Sequence, residues 1–252
     1  MHRTGGAASS SRRVASVSAL PPTDMSDSAI RNPQSAIRCG GVVLCGGKST
    51  RMGLPKATLP FGDETMLGRV VRLLSSVVAP IVVVAAPGQE LPPLPVGVIV
   101  ARDERERRGP LEGLLAGLAA LAPHCEAAYA TGCDVPLLAP AVVQRMIERL
   151  GEHDVAVPVE GEFHHPLAAV YRTSVVPIIR ELLAADRLRP VFLFDRVKTC
   201  RVSVSDLAAV DPDLATLRNL NRPDDYLAAL ADAGLTPDPA IVAAIESGHS
   251  DP

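Results

Sequence analysis

Apolar residues follow two different periods along this chain. At 42–44, 80–87, 96–101, 126–132 and 154–159 they form short unbroken runs rich in Val, Ile and Ala, as strands do when both faces of their sheet are covered. Between them, 66–78, 109–122 and 141–150 place apolar side chains three and four apart, the spacing of amphipathic helices. Segment 167–172 reads as a strand pairing nearby, 174–185 as a helix, 190–194 as a short apolar turn and 200–204 as a strand; a final helix starts at about Pro223. This alternation predicts an α/β fold, a single three-layer α/β/α domain with a mostly parallel sheet. The expected boundaries are a disordered extension over 1–38, the domain over 39–233 and a tail over 234–252. The first stretch is rich in Ser, Ala and Arg, and the last carries three prolines and a polar end.

Composition narrows the class. The chain has 252 residues, of which 47% are hydrophobic and 21% charged; Trp is absent, and three Tyr and four Phe leave the core to aliphatic side chains. A net charge of -3 provides no general field for nucleic acid or an anionic membrane, so any anion site must be local. No apolar run reaches the roughly 18 residues a membrane span needs. The five cysteines, Cys39, Cys45, Cys125, Cys133 and Cys200, form no C-x-x-C pair, which fits a reducing cytoplasm rather than a disulfide framework or a zinc ribbon. The N-terminal stretch lacks the apolar core of a secretory signal. Its Arg content also resembles a transit peptide, and Met25 is an alternative start.

Parallel sheets bind ligands in the loops at the carboxyl ends of their strands, and two such loops carry unusual chemistry. The first is VVLCGGKSTRMGLPK, residues 42–56. Gly46 and Gly47 let the backbone turn and leave its N–H groups open to an anion, while Lys48, Arg51 and Lys56 supply cations. The spacing matches neither the Walker loop nor G-x-G-x-x-G; the string is either a solvated turn or a phosphate cradle of another kind. The second loop is TGCDVPLL, residues 131–138. Asp134 there serves either as a helix cap or as a carboxylate for Mg²⁺, a cation held by one or two carboxylates together with substrate phosphates. Taken together, the two loops suggest a nucleoside triphosphate site.

The strings become specific as a set. LCGGKSTRMGLPK resembles the signature of the molybdenum cofactor guanylyltransferase family, nucleotidyltransferases with a Rossmann-like domain, whose pattern runs Leu-Ala-Gly-Gly-x-Ser-x-Arg-Met-Gly-x-x-Lys. GPLEGLLAGL, TGCDVPLL, HPLAAVYR and NLNRPDDY match further segments of that family in the same order, across about residues 40–230. The resemblance implies Mg²⁺-dependent transfer of GMP from GTP to the phosphate of molybdopterin, with release of pyrophosphate. It implies catalytic roles for Arg51, Lys56 and Asp134, with Asp134 as the metal ligand. Nucleotide binding falls to Leu44, Cys45, Gly46, Gly47, Lys56, Asp103 and Asp134, and acceptor binding to Asn219 and Asn221. A molybdoenzyme or cofactor-biosynthesis protein is the implied protein partner. The residue types suit this chemistry, since phosphoryl-type transfer needs positioning and charge neutralisation rather than a protein nucleophile.

Cys45 stands where the family carries Ala, and Pro55 where it carries Asp. A Pro-Lys pair is closer to relatives that handle cytidylyl or sugar phosphates, which keeps a cytidylyltransferase or a sugar-1-phosphate nucleotidyltransferase open as alternatives. A non-catalytic nucleotide-binding chaperone of the cofactor is a third. His164 and His165, before Pro166, lack further ligands at metal-binding spacing and read as structural or as lining the pterin side.

Overall fold

The computed structural model describes residues 1–2, 37–46, 54–102 and 109–247. Gly47, Arg51 and Asp103 lie outside the described residues, as do residues 3–36 of the expected N-terminal extension. The chain enters through β1 (Cys39–Leu44), then folds β2 (Pro60–Phe61) against β3 (Glu64–Thr65) as a short hairpin. It continues through α1 (Met66–Ser75), β4 (Ile81–Ala85), β5 (Ile99–Arg102), α2 (Pro110–Leu121), β6 (Ala127–Gly132) and α3 (Pro140–Leu150). A second hairpin pairs β7 (Val155–Glu160) with β8 (Phe163–His164), and β9 (Ala168–Arg172) and α4 (Val176–Ala184) follow. The chain closes with α5 (Val191–Phe194), β10 (Thr199–Ser203), α6 (Val204–Leu207), α7 (Pro223–Asp232) and α8 (Pro239–Ser247).

The main sheet has the order β10-β7-β9-β6-β1-β4-β5, with β8 added to β7. β1 runs parallel to β4 and β6, β4 to β5, and β7 to β10; β9 lies antiparallel between β6 and β7. The mostly parallel three-layer architecture therefore forms, with β9 reversed inside the sheet and the short β8 reversed where it adds to β7. β1 is longer than its apolar run because Gly40 and Gly41 extend it backwards. A Cβ on Gly41 would stand 2.5 Å from Leu74 of α1 and 2.7 Å from Ile81, so any larger residue here would force those side chains to shift.

The sheet's two faces bury separate aliphatic clusters. Val43, Leu67, Val70, Leu74, Val143 and Met146 pack under α1 and α3; Val42, Val84, Leu114, Leu118 and Ile179 pack under α2 and α4. A third cluster, comprising Leu59, Phe61, Met66, Leu220, Tyr226, Leu230 and Ile245, joins the β2–β3 hairpin to α7 and α8. The end of the chain, expected as a tail, is thus helical over Pro239–Ser247 and buries Ile245. The expected third strand starts only at Ile99, because Gly97 turns with φ 91° and the Val98 N–H donates to the Pro95 carbonyl. Segment 190–194 makes a single helical turn rather than an irregular one.

Candidate functional site

The carboxyl ends of β1, β4 and β6 are tied together before any side chain is considered. The Cys133 N–H donates to the Leu44 carbonyl at 3.0 Å, and the Cys45 N–H donates to the Val84 carbonyl at 2.8 Å. Gly46 therefore leaves the sheet from a fixed point and is exposed. Gln89 adds a cross-link from the loop after β4: its side chain accepts from the Ala86 N–H at 3.0 Å and donates to the Cys45 carbonyl at 3.2 Å. Cys45 and Cys133 are both buried, and the hydrogen bond that the Cys45 thiol donates to Cys133, followed by burial, pushes the Cys45 thiol well above its ordinary range. A neutral thiol here puts no anion at the carboxyl end of β1.

Lys56 opens a 3₁₀ turn over Lys56–Thr58, entered from Pro55 at φ −64° and ψ 116°. The fixed φ of proline suits this entry. The Pro55 carbonyl accepts both the Thr58 N–H at 3.1 Å and the Thr58 hydroxyl at 3.0 Å. Pro55, the departure from the family pattern, is thus the residue that aims Lys56. The ammonium donates to Asp134 Oδ2 and to Asn221 Oδ1, each at 2.9 Å. Both charged side chains are largely enclosed, 15% and 19% exposed. A partly desolvated pair of this length is stronger than a surface ion pair.

Asp134 is held by its backbone and neighbours. Its carbonyl accepts from the Leu220 N–H at 3.0 Å, which draws the Asn219–Asn221 segment over the β6 turn. Gly132 makes room for the carboxylate: a Cβ there would lie 2.4 Å from Asp134 Oδ1. Arg69 of α1 donates to the Pro136 carbonyl at 2.8 Å while its guanidinium stacks on Phe61 at 4.9 Å, tying the Asp134 turn to the hairpin that follows Lys56. The Ala139 N–H donates to the buried Thr216 hydroxyl at 2.9 Å. From the far side, the Tyr226 hydroxyl donates to the Pro60 carbonyl.

Among the sequence-derived residues, Lys56, Asp134 and Asn221 meet directly, and Leu44, Cys45 and Gly46 start the loop beside them. Asn219 is exposed, and its carbonyl accepts from the Asn221 amide at 3.5 Å. Asp225, in the first turn of α7, fixes this segment by accepting the Asn221 and Arg222 N–H groups at 3.0 and 2.9 Å. Gly132, Arg69, Gln89 and Tyr226 escape a sequence reading, because an interior glycine, one helical arginine, a loop glutamine and an amphipathic tyrosine carry no local signature. Only Gly132, unpaired with any turn signal inside a strand, hints at a close approach.

The described residues contain no cluster of three or more His, Cys, Asp or Glu able to hold a metal alone. A single enclosed carboxylate, already paired with an ammonium, fits a cation that takes its other ligands from substrate phosphates. Among the described residues, no helix is long and apolar enough to cross a membrane.

A family model described as a MobA-like NTP transferase domain matches residues 41–199. A protein of Pelotomaculum thermopropionicum named "probable molybdenum cofactor guanylyltransferase" is 34% identical over 197 residues, covering 77% of this chain and 92% of its own length. A protein of the same name from Mycobacterium tuberculosis is 39% identical over 171 residues, covering 66% of this chain and 84% of its own length. The fold matches the crystal structure of molybdopterin-guanine dinucleotide biosynthesis protein A from Archaeoglobus fulgidus, with a TM-score of 0.63, 20% identity and coverage of 77% of this chain and 98% of that one.

Proposed function

Since this chain belongs to the MobA-like NTP transferase family, we propose that it transfers GMP from GTP to the terminal phosphate of molybdopterin, releasing pyrophosphate. A phosphate oxygen of the acceptor forms a bond to the α-phosphorus of GTP as the bond from that phosphorus to the pyrophosphate oxygen breaks. The relatives carry the guanylyltransferase name, which favours GTP over CTP as donor and molybdopterin over a sugar phosphate as acceptor. Retention of both Lys56 and Asp134 favours an enzyme over a non-catalytic chaperone.

One observation carries the site assignment: the Lys56 ammonium bridges Asp134 and Asn221 at 2.9 Å on each side. In this reading Lys56 neutralises charge on the triphosphate and Asp134 holds a divalent metal, taken as Mg²⁺. Bound there with the phosphates, that ion supplies further charge stabilisation. Gly46 and Gly47 offer N–H groups, Leu44 and Cys45 form the floor of the nucleotide loop, Arg51 faces the triphosphate and Asp103 meets guanine or ribose. Asn219 and Asn221 belong to the acceptor side. Because Asn221 also touches Lys56, the donor and acceptor halves share one hydrogen-bond network. Such a site works mainly by positioning and electrostatics.

The free thiols fit a reducing cytoplasm, and the product calls for a molybdoenzyme or a cofactor-biosynthesis protein to receive it. The domain is taken to start at residue 39 and to include α8, which packs on it through Ile245. The test is pyrophosphate release by the purified chain with Mg²⁺ and molybdopterin, comparing GTP, CTP and ATP, with glucose-1-phosphate as control acceptor. Preference for GTP with the pterin is expected; preference for CTP, or turnover with the sugar phosphate, overturns the substrate assignment.

A further inference from the structure

β1 lies between β4 and β6, and its backbone alternates between them up to the point where the loop begins. The Leu44 carbonyl accepts the Cys133 N–H on the β6 side at 3.0 Å, and the Cys45 N–H donates to the Val84 carbonyl on the β4 side at 2.8 Å. The next group, the Cys45 carbonyl, again faces the β4 side, but there its donor is a side chain, Gln89 Nε2 at 3.2 Å. The Cys45–Gly46 peptide is trans and planar, so its N–H points opposite to its carbonyl. Pinning the carbonyl on the β4 side therefore turns the Gly46 N–H to the β6 side, where Asp134 follows Cys133. Among the described residues that N–H has no acceptor.

Gln89 is itself built in. Ala86, Pro87, Gly88 and Gln89 form a β-turn closed by the Gln89 N–H, which donates to the Ala86 carbonyl at 3.1 Å. Pro87 suits the first central position of a type II turn, and Gly88 supplies the positive φ, 70°, that the second requires. Gln89 Oε1 accepts the Ala86 N–H at 3.0 Å, which commits the amide oxygen and leaves the amide nitrogen to face Cys45. From the end of β5, Arg102 Nη1 donates to the Ala86 and Gln89 carbonyls at 2.8 and 3.1 Å. The turn is thus braced by the next strand of the sheet. Its own closure needs only the Gln89 backbone; the reach of the side chain to a carbonyl 44 positions away serves the β1 loop.

We propose that Gln89 is a positioning residue for the nucleotide: by holding the Cys45 carbonyl it aims the Gly46 N–H at the triphosphate, on the side where Lys56 and Asp134 meet. This rests on the guanylyltransferase reading, which takes GTP as donor, and adds the loop after β4 to the machinery of its site. Gln89 acts through the Cys45–Gly46 peptide and not by touching the nucleotide. A donor that meets the phosphates before and during the reaction contributes binding equally to both states, so its misalignment shows in affinity and not in turnover.

The test titrates the full chain with a fluorescent N-methylanthraniloyl derivative of GTP in Mg²⁺, beside pyrophosphate release from GTP and molybdopterin. Gln89→Ala weakens nucleotide binding and raises the KM for GTP about tenfold, the scale of one misaligned hydrogen bond to a charged group; kcat and the KM for molybdopterin move less than about twofold. Gln89→Glu keeps an acceptor for the Ala86 N–H and so holds Tm near the wild-type value, but it cannot donate to Cys45 and weakens binding as Gln89→Ala does, compared with wild type in about 0.5 M salt to screen the added charge. Arg102→Ala, which loosens the turn and leaves the Gln89 side chain in place, costs about threefold. Wild-type nucleotide affinity in Gln89→Ala, or a fall in kcat and Tm with the KM for GTP unchanged, overturns the proposal. Weaker binding by the Gln89 variants of a chain that releases no pyrophosphate supports the positioning role while overturning the guanylyltransferase reading; a wild-type chain that binds no GTP overturns both.

Discussion

Asp134 and Lys56 meet at 2.9 Å, yet the fold holds them in opposite ways. Asp134 is fixed from behind by the Leu220 hydrogen bond to its carbonyl, by the Arg69 hydrogen bond to Pro136 in the same turn and by the room Gly132 leaves. Lys56 stands on a single 3₁₀ turn at the end of a long side chain, placed chiefly by its two polar partners. The carboxylate is preorganised by backbone, whereas the ammonium keeps freedom to exchange Asp134 for phosphate oxygens. For the proposed reaction, which must admit and release a triphosphate, one rigid and one movable charge are an advantage.

Removing the rigid charge should do most. Asp134→Ala is expected to lower kcat/KM for GTP by about a thousandfold, the scale of a lost preorganised electrostatic contact, and to abolish the response to Mg²⁺ concentration; unchanged activity across Mg²⁺ titration removes Asp134 from the site. Lys56→Ala is expected to cost about a hundredfold, and wild-type kcat/KM for GTP would place its charge elsewhere. Gly132→Ala sharpens the contrast, because it pushes the carboxylate from its place without deleting it. An activity loss of about tenfold with little change in Tm is expected, and loss of both together would make Gly132 a folding residue.

Two smaller effects concern the scaffold. Tyr226→Phe removes the donor to Pro60 and should cost about 1 kcal/mol, seen as a Tm lower by about 2–4 °C. Deleting residues 1–36 should leave pyrophosphate release and Tm unchanged. Extending the deletion through Arg38 should lower Tm, because the Arg38 carbonyl accepts the Glu126 and Ala127 N–H groups at 3.0 and 3.2 Å.

The parts of the site legible beforehand were contiguous strings. Residues 42–56 and 131–138 each put a strand end and its chemistry within one loop's length, so periodicity and residue type sufficed to mark them. The bracing was illegible because its partners are remote: Lys56 and Asn221 are 165 positions apart, and Arg69 and Pro136 are 67 apart. Pro55 illustrates the same limit from the other side, since as a string it pointed toward other substrates, while in the fold it shapes the turn that aims Lys56.

By itself the sequence determined the alternation of strands and helices, the aliphatic core and the two loops at the sheet's carboxyl edge, since these depend on hydrophobic period and local backbone chemistry. The reversal of β9, the third cluster that folds the C-terminal helices against the β2–β3 hairpin, and the meeting of Lys56 with Asn221 were decided only in three dimensions. They arise from long-range packing, where a residue's partner is set by which surfaces must be buried together and not by its neighbours along the chain.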